Sequence, residues 1–331
     1  MENWVPVKVL GQGSYAVVCL AKQSIRKCSD NNLPYYFALK IYPLQHNSSL
    51  LWEEQVLKQF KGCPEIVQYF GSEITRGGSF CNDKDFYTLK LEYAAGGTLD
   101  DLIKQRDKLP EDEVKDYLRM ILKGLSCIHS KGFVHVDLKP NNILAFPQSD
   151  GKMKLKIADF GQAERCKYRD DNGQHKRYGY CSSLKFKGSP RYMSPESIIF
   201  NEVDDAHDIW SLGCILVKMI SGKCVWDGYT DSKQLMIEVL DNKIMATIPG
   251  ELSEQGKDFI RKCFIRSYKQ RWTADMLLQH PYLNQENEAP MKEDEATMKD
   301  DEATMDGGSY SFNRLILKFP IAKLFLTCFN Q

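Results

Sequence analysis

His135-Val136-Asp137-Leu138-Lys139-Pro140-Asn141-Asn142, followed downstream by Asp159-Phe160-Gly161, is the stretch that decides how this chain is read. Two short runs supply an acid, a cation and two oxygen donors suited to a metal. Phosphoryl transfer calls for that set: a carboxylate to orient an attacking hydroxyl, a Lys beside the moving phosphate, and Asn and Asp for Mg²⁺. This hard cation takes oxygen ligands, few of them from protein, while phosphates and waters complete the octahedron.

Upstream, Gly11-Gln12-Gly13-Ser14-Tyr15-Ala16-Val17-Val18 fits a G-x-G-x-x-G-x-V loop with Ala16 in the third glycine position. Glycines let backbone N–H groups approach a phosphate closely, and Val18 would cover an adenine ring. Two glycines in a strand turn also describe an ordinary hairpin. Ala38-Leu39-Lys40-Ile41 adds weight, because Lys40 projects one charge from an apolar strand, although a snorkelling surface Lys would do the same. Held against phosphates, Lys40 needs a carboxylate partner, and the helical stretch 50–60 offers Glu53 and Glu54. Glu53 precedes Val56 and Leu57 by one turn and so flanks the apolar face. Glu54 lies about 100° further round and is expected to point toward solvent. Glu53 is therefore the expected partner.

The wider pattern predicts two lobes. Val5-Val9, Ala16-Leu20, Tyr35-Ile41, Ile66-Phe70 and Phe86-Tyr93 read as short strands, with apolar positions 50, 51, 56, 57 and 60 marking one helix among them. Ser24-Pro34 reads as a surface connection, and Ala94-Gly97 as a turn or hinge. Beyond it the pattern is helical. Pro110 followed by Glu111-Asp112-Glu113 starts a helix whose stripe is Val114, Tyr117, Leu118, Ile121, Leu122, Leu125 and Ile128. Further helices are expected at Asp205-Ser221, Ser232-Asp241, Ser253-Cys263 and Thr273-Gln279. A cleft between a small β-rich lobe and a larger helical one is a favoured ligand position.

Composition narrows the classes. Formal net charge is zero, and the hydrophobic content of 43% is that of a globular protein. No basic stripe studded with aromatics points to nucleic acid. The start, Met1-Glu2-Asn3-Trp4, has neither a basic nor an apolar region of the kind a secretory signal carries. No apolar run reaches the length of a membrane span. The eleven cysteines lack framework spacing, which suits a reducing compartment, cytoplasmic or also nuclear. Cys166, His175 and Cys181 lack the pairing of a zinc site. After Leu283, the near-copies Lys292-Met298 and Lys299-Met305 make residues 284–309 an expected acidic linker too polar to form a core. Residues 310–331 form an apolar tail expected to pack or stay disordered rather than to touch a membrane. Its final Cys328-Phe329-Asn330-Gln331 is a poor prenylation signal, with Asn330 where an aliphatic residue is preferred.

Together these runs resemble a eukaryotic protein kinase over residues 4–283. The resemblance implies the α+β bilobal kinase fold, with a β-rich N-lobe over about residues 4–93 and a helical C-lobe over about 97–283. It implies that Asp137 orients the substrate hydroxyl, Lys139 neutralises the γ-phosphate, and Asn142 and Asp159 hold Mg²⁺. ATP would lie against Gly11, Gln12, Gly13, Ser14, Val18, Ala38, Lys40 and Leu144. Leu91 would be the gatekeeper, and Glu92-Tyr93-Ala94 the hinge that reads the adenine edge through its backbone. Glu196 would pair with Arg271 and Asp208 would brace the catalytic-loop backbone. Lys139-Pro140 resembles Ser/Thr rather than Tyr kinases, and Ser189 stands where a Thr is usual, within expected reach of Asp137 and Lys139. The catalytic-loop phrase and the long connection between Lys22 and Pro34 resemble plant MAP kinase kinase kinases of the MEKK type. The implied partner is a protein substrate, a MAP kinase kinase.

One departure stands inside the opening run. Val136 replaces the Arg that ordinarily meets a phosphate on the activation segment, so phosphorylation there is not expected to be a strict requirement. The segment from Asp159 to Glu196 is 38 residues long, with eight Lys or Arg against five acids. It reads either as a solvated loop or as a basic surface for an acidic substrate or a phosphate on Ser182, Ser183 or Ser189. The rival to an active kinase is a pseudokinase acting as a scaffold or binding module. A P-loop enzyme is excluded by the lack of G-x-x-x-x-G-K-[ST].

Overall fold

Alternation along Tyr36–Pro43 shows why the small lobe forms as it does. Phe37 and Leu39 point to one side of the strand and meet Trp4 and Ala21 in a satellite cluster, while Ala38, Lys40 and Tyr42 point to the other. Both faces are therefore covered, and the strand sits in mid-sheet. The computed structural model describes residues 4–12, 16–24, 33–43, 47–75, 85–165, 168–169, 175–176, 187–200, 203–229, 231–240 and 248–284.

Strands β1 (Trp4–Gln12), β2 (Val17–Gln23), β3 (Tyr36–Pro43), β4 (Tyr69–Thr75) and β5 (Phe86–Leu91) form an antiparallel sheet in the order β1-β2-β3-β5-β4. Helix α1 (Asn47–Gln59) packs beneath it. Its inner face is Glu53, Val56 and Leu57, continued by Phe60, whereas Leu51, expected on that face, is 50% exposed. The strand expected at Ile66-Phe70 begins instead at Tyr69. Gly62 and Pro64 turn the chain, and Val67 N and Ile157 N exchange bonds with Ile157 O and Glu65 O, which fastens residues 65–67 to the large lobe.

The large lobe is built on α3 (Glu111–Ser130) and α5 (Asp205–Ser221), with α2 (Leu99–Arg106) at the lobe junction. All seven stripe residues of α3 are buried. Helix α5 is apolar nearly all round, the mark of a helix enclosed on every side. Asp204 caps its start, and Gly222, at φ 74°, ends it where a Cβ would lie 2.0 Å from Asp107 O. Between α3 and α5 run β6 (Phe133–Val134), β7 (Ile143–Pro147), β8 (Met153–Ile157) and β9 (Glu164–Arg165), with β10 (Tyr168–Arg169) and β11 (His175–Lys176) pairing further along. Helices α4 (Pro195–Phe200), α6 (Ser232–Leu240), α7 (Glu254–Cys263), α8 (Ala274–Leu278) and α9 (Pro281–Asn284) complete the lobe. Ser253 and Thr273, expected as first helical residues, are instead N-caps whose hydroxyls accept from Gly256 N and Met276 N. The α+β, two-lobed architecture is the one expected.

One buried ion pair pins the lobe. Arg271 gives Glu196 a two-pronged bond at 2.6 and 3.1 Å and also reaches Ala206 O and Ile265 O. Both side chains are enclosed, so truncating one strands the other without solvent. Glu196→Ala is expected to lower the free energy of unfolding by about 3–5 kcal/mol, read from urea denaturation. A loss of less than about 1 kcal/mol, the range of exposed pairs, would show that the pair does not hold the fold.

Candidate active site

Lys40 reaches down from the inner face of β3 to Glu53 on α1, with Nζ 2.8 Å from both carboxylate oxygens. The same ammonium lies 2.9 Å from Asp159 Oδ1. One cation thus joins the sheet, the helix and the start of the segment after β8. Burial alone would lower the Lys40 pKa, but the charges of Glu53 and Asp159 raise it well above the ordinary value. Burial would likewise raise the Asp159 carboxyl, yet Lys40, by charge and then by hydrogen bond, holds it at about 2. Tyr42, two residues along the same face, donates to Glu53 and lies beneath Lys40, 5.3 Å from ring centroid to Nζ.

Glu54 does not point to solvent. Around the helix it meets the hydroxyls of Tyr69 at 2.5 Å, Ser72 at 2.7 Å and Tyr87, with Lys58 one turn on at 2.8 Å. The side of α1 expected to be open is covered by β4 and β5. Burial opposes the charge, but these donors hold the carboxyl at about 2. The two adjacent glutamates therefore clamp α1 on two sides.

The catalytic-loop group is equally closed. Asp137 Oδ1 accepts from Ser189 Oγ at 2.7 Å, Oδ2 accepts from Lys139 Nζ at 2.7 Å, and Lys139 also donates to Ser189 Oγ at 2.8 Å. Asn142 turns its amide nitrogen to Asp137 O at 2.8 Å and to Asp137 Oδ2 at 3.1 Å. That assignment leaves Asn142 Oδ1 as the oxygen free to face a cation. Asp159, in a left-handed conformation at φ 64°, keeps its side chain 46% exposed. Among the described residues no group of three or more His, Cys, Asp or Glu could cage a metal ion. A divalent ion here would use Asn142, Asp159 and oxygens from its ligand, a hard donor set that fits Mg²⁺.

Asp208 braces this loop from α5. Its carboxylate accepts from His135 N at 2.8 Å, from Val136 N at 3.0 Å and from His129 Nε2 at 2.9 Å. Val136 is 1% exposed and sits at φ 70°, a conformation costing an L-residue about 1–2 kcal/mol. Phe160 is fully buried, stacked 5.4 Å from Phe60 below α1 and edge-on to His135 at 5.1 Å. Trp52 Nε1 donates to Ala163 O at 2.7 Å, a second tie from α1 to the segment.

The residues expected to contact a nucleotide fall in one place. Ala38 and Leu91 are register partners on β3 and β5 and are buried, while Val18 and Leu144 are half-buried against the same core. Glu92 N bonds Gln68 O, and its carboxylate is locked on Lys156 at 2.6 and 2.7 Å. The chain then passes half-buried Ala94 and turns to pair with β7: Gly96 N bonds Ala145 O, and Ala145 N bonds Gly97 O. A Cβ on Gly96 would sit 2.8 Å from Ala145 O, so only glycine fits. A Cβ on Gly11 would meet nothing within 4 Å, so packing does not demand that glycine and there is room beside it for a ligand; Gln12 follows at the strand end. Gly13 and Ser14 lie outside the described residues, as do Cys166, Cys181, Ser182, Ser183 and residues 285–331; of His175 only the backbone is described.

The reading of residues alone passed over Tyr42, Trp52, His129 and His207, and it placed Ser194 only as the first residue of Ser194-Pro195-Glu196. Tyr42 had a usable signal, since it shares the β3 face of Lys40. The others touch the site only through residues distant in the chain.

The comparisons agree with this geometry. The family model described as Protein kinase domain matches residues 4–283. Mitogen-activated protein kinase kinase kinase 20 of Arabidopsis thaliana is 37% identical over 290 residues, 86% of this chain and 80% of that protein. Mitogen-activated protein kinase kinase kinase 18 from the same plant is 34% identical, covering 86% and 79%. The plant's mitogen-activated protein kinase kinase kinase YODA is 33% identical over 88% of this chain but only 30% of its own length.

The brace at Asp208 carries a pH signature. Burial would lower the His129 pKa, but the bond and charge of Asp208 raise it, while Asp208 is held low despite its own burial. The His129 contribution is then present in full below its unfolded value and fades as pH rises through the folded one; that of Asp208 fades only in acid. The unfolding free energy lost in His129→Gln is expected to be larger at about pH 5.5 than at about pH 9. A loss independent of pH would show that the imidazole is not charged in the folded protein.

Proposed function

The chain belongs to the protein kinase family and is a serine/threonine protein kinase, and we propose that it uses Mg-ATP to phosphorylate Ser or Thr on a MAP kinase kinase. The observation that carries this reading is Lys40 bridging Glu53 and Asp159, which brings together a cation, its helix anchor and the carboxylate proposed for the metal. A scaffold that binds without catalysis has no need to keep Lys40, Glu53, Asp137, Asn142 and Asp159 together, so the rival reading is disfavoured.

In this reading Glu53 holds the Lys40 ammonium toward the phosphates. Asp137 accepts a hydrogen bond from the incoming hydroxyl and aims its oxygen at the γ-phosphorus. Lys139, beside Asp137, counters the charge that develops on the transferred group. Asn142 Oδ1 and the exposed carboxylate of Asp159 would hold Mg²⁺; when bound, that ion shields the phosphates from one another. Val18, Ala38, Leu91 and Leu144 would sandwich the adenine, with the Glu92–Ala94 backbone along its edge. The MAP kinase kinase as acceptor rests on the names of the relatives, on the catalytic-loop phrase and on the long connection between Lys22 and Pro34, while Lys139-Pro140 supports Ser or Thr as the residue modified. Residues 4–283 are read as the catalytic domain, 284–309 as an acidic linker and 310–331 as an apolar tail, in a protein of the cytoplasm, with the nucleus as the alternative compartment.

Val136 offers no cation for a phosphate, so activity is proposed not to require one on the activation segment. The test combines both points. Phosphatase-treated wild type, Lys40→Met and Asp137→Asn are each incubated with Mg-ATP and candidate MAP kinase kinases, and phosphosites are mapped. Wild type alone is expected to label Ser or Thr on a candidate, while all three proteins melt as folded chains. Labelling by Asp137→Asn would remove the role given to that carboxylate. Loss of wild-type activity on phosphatase treatment would overturn the reading of Val136.

A further inference from the structure

Both backbone polar groups of the strained Val136 are held by consecutive residues of α5. Asp208 takes the N–H at 3.0 Å, and His207 Nε2 meets the carbonyl oxygen at 2.9 Å. That carbonyl belongs to the peptide leading into Asp137, whose own N–H bonds His135 O at 2.9 Å. Gly188, at φ 97°, leaves room on the other side: a Cβ there would stand 2.9 Å from Val136 O.

The hydrogen-bond roles at His207 follow from its partners. A carbonyl oxygen only accepts, so Nε2 carries a proton. The other ring nitrogen, Nδ1, lies 3.0 Å from Ser194 Oγ, within hydrogen-bond distance. Ser194 Oγ in turn accepts from Ser197 N at 3.4 Å. His207 and Ser194 are both fully buried, so water replaces none of these bonds. A chain of buried hydrogen bonds thus runs from the start of α4, through Ser194 and His207, to the carbonyl next to Asp137.

We propose that His207 is a positioning residue for phosphoryl transfer: with Ser194 it fixes the Val136–Asp137 peptide and ties the end of the activation segment to the catalytic loop. The inference rests on the kinase reading above, because the peptide it fixes carries Asp137. The link reaches the same loop position whose side chain, as Val, can form no charged latch. Its physical advantage is that a relay of buried hydrogen bonds needs no phosphate on the activation segment.

The test uses the full chain and measures kcat, KM for ATP and thermal melting. His207→Leu keeps bulk but no donor; kcat is expected to fall about 10²-fold, as for a small misplacement of a reacting group, with KM for ATP unchanged. His207→Gln carries an amide N–H near the Nε2 position and is expected to restore most of the lost kcat. His207→Asn is too short to reach Val136 O and should behave as Leu does. Ser194→Ala removes only a hydroxyl and decides the matter if the buried Leu unfolds the chain: a lower kcat supports the relay, and an unchanged one overturns it. Wild-type kcat in His207→Leu, or equal losses in Gln and Leu, would also overturn it. Activity retained in Asp137→Asn would instead sink the functional reading on which the relay rests.

Discussion

A single carboxylate with no access to water, Asp208, organises the large lobe's half of the site. A buried charge is tolerated only when its hydrogen bonds are made inside the protein. Asp208 finds them at two successive backbone N–H groups of the catalytic loop and at His129 of α3. Those bonds hold the loop in a shape that Val136 would not choose alone, with a β-branched residue in the left-handed region. The strain is local, and the surrounding contacts over-determine it. Asp137, Lys139 and Asn142 are rigidly placed because the backbone beneath them is held in this way.

The small lobe solves its own problem with the opposite charge. Lys40, enclosed on the inner face of β3, is stable there because Glu53 and Asp159 surround it. Glu53 can do so only if α1 lies close to the sheet, and Glu54 draws the helix onto β4 and β5 from the neighbouring position. Trp52 and Phe60 extend the same helix face to Ala163 and Phe160. The orientation of α1, the charge state of Lys40 and the start of the activation segment are therefore one coupled arrangement.

Much of this was legible in the order of residues. The α3 stripe carries its period openly, the strand at Tyr36–Pro43 is marked by its aromatic and β-branched residues and α5 by its apolar run, and tertiary contacts followed all three. Where the reading failed, a neighbour was missing from view. Glu54 looked exposed on an isolated helix because β4 and β5 cannot be seen from α1. The strand after Ile66 began later than its β-branched residues implied, since residues 65–67 bond to β8 across the lobe junction.

What the sequence by itself determined is the set of chemical groups and their local spacing: an acid, a Lys and an Asn within one short loop, a Lys on a strand face, a glutamate one turn before an apolar pair. Local spacing suffices there because strand and helix periods project those groups to known sides. Tertiary structure alone decided which groups meet across long separations. It gave Lys40 a second carboxylate in Asp159, gave Glu54 its hydroxyls, and set His207 on the carbonyl beside Asp137. A buried polar group must find a partner wherever the packed chain supplies one, and that partner's position in the sequence is not constrained by any local period.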